Sequence, residues 1–141
     1  NYQINADVNP VDGGFCVGVK SVSAVVGYNN FTVQIDMRHK PNTCQYDAVL
    51  AHEDKHIKAY LSVIDDIKPD LQRSLYMAVD SVMPVFVKSK KEVAGVVDDI
   101  NLQIQKHPEL IVIKQKINAE QEIRNKKIDQ NKGNKLLQQC D

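Results

Sequence analysis

The stretch Tyr46-Asp-Ala-Val-Leu-Ala-His-Glu-Asp-Lys-His-Ile-Lys-Ala-Tyr60 decides how this chain is read. It contains His52-Glu53-Asp54-Lys55-His56, an H-E-x-x-H pattern. Tyr46, Leu50, Glu53, Ile57, Tyr60, Ile64 and Ile67 recur at spacings of four and three, which predicts a helix with one buried stripe. Residues four apart on a helix lie one above the other, so His52 and His56 can share one zinc ion. Glu53 is the only charged member of the stripe. A carboxylate is costly to bury without a partner, and a local rule broken inside a consistent helix marks function. A plain structural helix, with two surface histidines and a Glu held by a Lys or Arg, is the competing reading.

Working outward, Phe31, Val33, Ile35 and Met37 alternate with Thr32, Gln34, Asp36 and Arg38 and predict the clearest strand. Phe15 to Val26 reads as one or two further strands. Residues 1–14 read as loop, with Tyr2 and Ile4 the only hint of a strand and Asn9-Pro10 and Gly13-Gly14 as breakers. Asn42 is placed to cap the motif helix, with Gln45 reaching back to it. Pro69 should stop that helix near Lys68 and start a second, buried one through Leu71, Leu75, Ala78 and Val82. Beyond Lys88, Val93, Val97, Ile100 and Ile104 predict another helix. His107-Pro108 breaks it, and Leu110, Ile113, Ile117 and Ile123 predict a last one. Gly133 interrupts the tail. The expected fold is α+β in a single domain. A small antiparallel N-terminal sheet (1–39) packs on the H-E-x-x-H helix and its partner (43–87), and a helical hairpin with a charged outer face follows (88–141).

Composition narrows the function classes. The 141 residues are 43% hydrophobic and 26% charged, which is ordinary for a protein with a packed core. Formal net charge is zero, which argues against nucleic acid as a general partner. The charge is uneven: residues 1–87 carry 7 basic and 10 acidic side chains, and residues 88–141 carry 11 and 8. No apolar run approaches the roughly 18 residues of a membrane span. The chain starts at Asn1 without a basic-then-apolar leader, as a removed signal peptide or a trimmed chain would both explain. Cys16, Cys44 and Cys140 match no zinc-finger or redox spacing. In an oxidising compartment Cys16, in a strand, would pair with Cys44 at the start of the motif helix, leaving Cys140 over. A Cys44–Cys140 bond would instead require the tail to fold back on that helix. Three free thiols are the alternative.

The run Val49-Leu-Ala-His-Glu-Asp-Lys-His-Ile57 resembles the active-site helix of zincin metallopeptidases. With Cys44 and Tyr46 before it, the run is similar to bacterial secreted zinc-dependent proteases. The resemblance covers about residues 31–61. It implies that His52 and His56 are metal ligands, that Glu53 is the general base, and that the protein is secreted or periplasmic and acts on a peptide or protein. One departure is visible. The extended zincin pattern prefers uncharged residues between the Glu and the second His, where this chain has Asp54 and Lys55.

A catalytic zinc usually takes three protein ligands. With an antiparallel helix after Pro69, Asp80 would stand at the height of His56 and supply the third; Glu92 and then His39 follow as candidates. Tyr60, four residues after His56, could donate to a developing oxyanion, or could simply be core. Two functions follow: a zinc peptidase working through a zinc-activated water, or a non-catalytic secreted or periplasmic module with a structural metal or none, binding proteins through the hairpin.

Overall fold

A computed structural model describes residues 2–130 and Cys140. The fold is α+β: β1 (Tyr2–Val11), β2 (Gly14–Ala24), α1 (Cys44–Asp80), β3 (Val85–Val87), α2 (Lys90–Gln105) and α3 (Pro108–Gln130). The strands form one antiparallel sheet in the order β1-β2-β3. The chain divides into two compact units, Asn1–Val26 with Lys68–Gln115 and Gly27–Ile67 with Lys116–Asp141. Gly133 lies outside the described residues.

The first unit holds the sheet. Residues 2–11, expected to be mostly loop, form an edge strand in which Tyr2, Ile4 and Ala6 are half-buried and Gln3, Asn5 and Asp7 exposed. Pro10 is tolerated because an edge strand can spare one N–H. The β1–β2 turn is made at Asp12-Gly13, where Gly13 takes a φ of +77° at no steric cost. Ala78, Ile100, Ile104 and Leu110 form the buried core, and Tyr2, Ile4, Val19 and Val22 of the sheet pack against it. Each fully buried Leu or Ile contributes about 1.5–3 kcal/mol. β3 follows Pro84, at the end of the segment expected to hold the second helix. Met83 and Phe86, on either side of Pro84, are 76% and 53% exposed.

At Gly14, β2 runs tight against the end of β3. A Cβ there would clash with the carbonyl oxygen of Val87 and the ring of Phe86. Backbone cannot swing aside as a side chain can. Gly14→Ala should therefore cost about 1–3 kcal/mol and loosen β3. Thermal unfolding checks the cost, and amide exchange at Val85 and Val87 checks the place.

Pro69 does not end the motif helix. α1 runs unbroken for 37 residues with Pro69 inside it. An interior proline costs about 3 kcal/mol. Burial on both sides offsets this: Val63, Ile64 and Ile67 before it, Ser74 and Ala78 after it. Pro69 itself is exposed, so its ring displaces no core. At the N-terminus the cap is Thr43, not Asn42. Thr43 Oγ1 accepts from the Tyr46 N–H at 3.3 Å, while Asn42 adopts a left-handed φ of 66°.

In the second unit, α1 up to Ile67 and α3 from Lys116 run antiparallel, as their partners appear in opposite order: His52 with Asp129, His56 with Asn125, Ser62 and Asp66 with Arg124. Ala59, Val63, Ile64 and Ile67 are its buried apolar residues among those described. Arg124 donates to Ser62 Oγ at 2.6 Å and to Asp66 Oδ2 at 2.7 Å. A disulfide joins Cys44 to Cys140 with Cα atoms 5.6 Å apart, and Cys16 is a free thiol. The expected Cys16–Cys44 bond is thus corrected: Cys16 belongs to the sheet of the first unit, and Cys44 begins α1 in the second.

Residues 31–37 are not a strand of the sheet. Val33 and Ile35 are half-buried as the alternation requires, but Met37 is 95% exposed and the segment pairs with no strand among the described residues. Val33 instead lines a hollow on α1 with Leu50 and Ile57. Arg38 grips the Asp36 carboxylate from its guanidinium and its backbone N–H, which turns the chain and holds that carboxyl down at about 2. Phe31 meets Tyr28 and Tyr60 in an aromatic trio with centroids 5.0–6.2 Å apart. No helix among the described residues is long and apolar enough to cross a membrane.

Candidate metal centre

Two helices build the site in the second unit. On α1, His52 and His56 face the same side on consecutive turns, with rings edge to face and Nε2 atoms 3.1 Å apart. α3 supplies Asp129, whose Oδ1 lies 3.4 Å from His52 Nε2 and 3.1 Å from His56 Nε2. The histidine side chains are 18% and 17% exposed and Asp129 is 63% exposed, so the triangle opens to solvent on the Asp129 side.

The donor set fits a divalent metal. Tetrahedral zinc with bonds of about 2.0–2.1 Å spaces its ligand atoms about 3.3 Å apart, close to the three edges found here. The chemistry agrees with the distances. His56 Nδ1 lies 2.7 Å from Asn125 Oδ1. An amide oxygen only accepts, so with Oδ1 facing the ring Nδ1 carries a proton, and Nε2 is the nitrogen left to face a metal. His56 Nε2, Asp129 Oδ1 and His52 Nε2 face one another at 3.1–3.4 Å. A metal ion between them, or a proton on one of the facing ring nitrogens, completes such a cluster. Among the described residues this is the only group of three or more His, Cys, Asp or Glu side chains so gathered.

Asp129 stands where Asp80 was expected. Because α1 does not turn back at Pro69, Asp80 ends the same helix, in the first unit, beside a hollow lined by Asp7, Cys16 and Pro84. Glu92 is occupied elsewhere: its Oε2 accepts the N–H groups of Lys88 at 3.0 Å and Ser89 at 3.3 Å and so caps α2. His39 closes the Asp36 turn through its backbone and is not in the cluster. His107, at the expected break, is half-buried, and its Nδ1 accepts the Glu109 N–H at 3.3 Å at the start of α3.

Glu53 is half-buried rather than buried. No side-chain hydrogen bond or ion pair engages it among the described residues, so the cation that a purely structural Glu would need is not beside it there. Asp54 pairs with Lys58 at 2.6 Å on the solvent side of α1. Tyr60, one turn beyond His56, borders a groove of about 330 Å³ that Asn118, Gln121, Asn125 and Asp129 also line. Gln121 donates to the Tyr28 hydroxyl.

Sequence reasoning missed Asp129 and Asn125. The available signal was the ladder Gln121, Asn125, Asp129 at i, i+4, i+8, a polar face matching the spacing of His52, His56 and Tyr60.

No protein-family model matches the chain, and no curated protein or solved structure matches it.

Proposed function

We propose that this chain is a zinc-dependent peptidase of the secreted or periplasmic kind, with His52, His56 and Asp129 as the metal ligands and Glu53 as the general base. The convergence of three donor atoms at 3.1–3.4 Å on an H-E-x-x-H helix carries the reading. Zinc bound there supplies Lewis acidity, polarising a scissile carbonyl and acidifying water. The protein's own part is positional and protonic. Glu53 takes a proton on its carboxylate from the attacking water and hands it to the leaving amine. Tyr60 borders the groove beside Asp129, where its hydroxyl can donate to a developing oxyanion. The open Asp129 side admits a polypeptide substrate. The Cys44–Cys140 bond suits an oxidising compartment.

Elemental analysis of protein purified without chelator should give about one zinc per chain. Asp80→Asn should match the wild type, whereas Asp129→Ala should carry measurably less zinc. A metal-free wild type, or equal zinc in both variants, overturns this ligand set. A peptide-library digest then tests the reaction.

One observation favours the non-catalytic alternative. Leu102, Ile111 and Val112, either side of the α2–α3 turn, are 48%, 44% and 55% exposed, and apolar surface of this kind suits a protein partner. Zinc content without hydrolysis of any library member supports that reading.

A further inference from the structure

We propose that Asn125 is a positioning residue that sets the tautomer of His56 and aims its Nε2 at the metal; this rests on the ligand set above. Asn125 and Asp129 lie on consecutive turns of α3, as His56 and His52 lie on consecutive turns of α1. One α3 residue completes the triangle and the other holds a corner of it from behind.

Which end of the Asn125 amide faces the ring decides the tautomer. With Oδ1 toward His56 Nδ1 at 2.7 Å, the ring proton sits on Nδ1 and the Nε2 lone pair points at His52 and Asp129. With the amide reversed, its NH₂ would meet Nδ1 and the proton would move to Nε2. That proton would point into the triangle, bond to Asp129 and exclude a metal. The acceptor oxygen of Asn125 therefore separates a metal site from a closed hydrogen-bonded cluster. Ligating histidines generally need such an outer partner, and its loss weakens metal binding about 10–100-fold. Asn125 is half-buried and also lines the groove.

The test uses the full chain and the metal alone. Asn125→Leu keeps the bulk and removes the acceptor. Zinc affinity by competition with a chromophoric chelator should fall about 10–100-fold. Asn125→Asp retains an acceptor oxygen and should bind zinc at least as tightly as the wild type. Nitrogen NMR of the metal-free protein, above the ordinary titration range of imidazole, reads the tautomer directly. Wild type and Asn125→Asp should hold His56 as Nδ1–H, and Asn125→Leu should shift toward Nε2–H. A merely structural Asn would alter melting temperature without this shift. A wild-type His56 found as Nε2–H overturns the proposal, as does unchanged zinc affinity in folded Asn125→Leu. Absence of zinc binding in the wild type, with His56 held as Nδ1–H, removes the metal reading and leaves the positioning of the ring standing.

Discussion

Glu53→Gln should bind zinc as the wild type does and hydrolyse peptides about 100-fold more slowly or worse, the usual effect of losing a general base. The substitution keeps size and removes only the ability to accept a proton. With His52, His56 and Asp129 as the proposed ligands, zinc affinity should not move. Stability should change little as well, within about 0.5 kcal/mol, since no cation beside Glu53 is left uncompensated among the described residues. Had Glu53 been one half of a buried ion pair, the loss would have been about 3–5 kcal/mol. Zinc titration, melting and turnover of one variant thus separate the two roles. Retained activity in Glu53→Gln would remove Glu53 from the mechanism.

Breaking the disulfide should have the largest effect on stability. Cys44 and Cys140 are 96 residues apart in sequence. A cross-link over a loop of that length restricts the unfolded chain by about 4–5 kcal/mol in the chain-entropy view. A Cys44→Ser, Cys140→Ser pair should lose much of this, near a thousandfold in the folding equilibrium. Gly14→Ala, which strains only the β2–β3 edge, should lose far less. Denaturant unfolding with and without reductant measures both. An unchanged midpoint on reduction would mean that the bond contributes nothing to the folded state.

What the sequence disclosed and what it hid have physical reasons. α2 and α3 were legible because their apolar residues keep a helical period and His107-Pro108 punctuates them. The H-E-x-x-H helix was legible for the same reason, and its two histidines come together from local geometry alone. The strand reading of Phe31–Met37 failed because alternation records a half-buried extended segment, whether or not a ladder pairs it. The stop at Pro69 failed because a backbone preference of a few kcal/mol yields to apolar burial on both flanks. That one difference moves the proposed third ligand. A turn at Pro69 would bring Asp80 back to His56, whereas an unbroken α1 leaves the place to α3, whose Asn125 lies 69 residues after His56 and which also carries Asp129. No local pattern carries a contact of that range.

The bond between Cys44 and Cys140 also has a topological consequence. It closes the backbone from 44 to 140 into a covalent ring that contains Glu53 and the whole of the candidate centre. A single cut at any peptide bond inside the ring opens it without releasing a fragment. His52, His56 and Asp129 would stay on one covalent molecule after such a nick. For a chain proposed to hydrolyse peptides, that is protection against its own activity and against neighbouring proteases, and it is lost as soon as the bond is reduced.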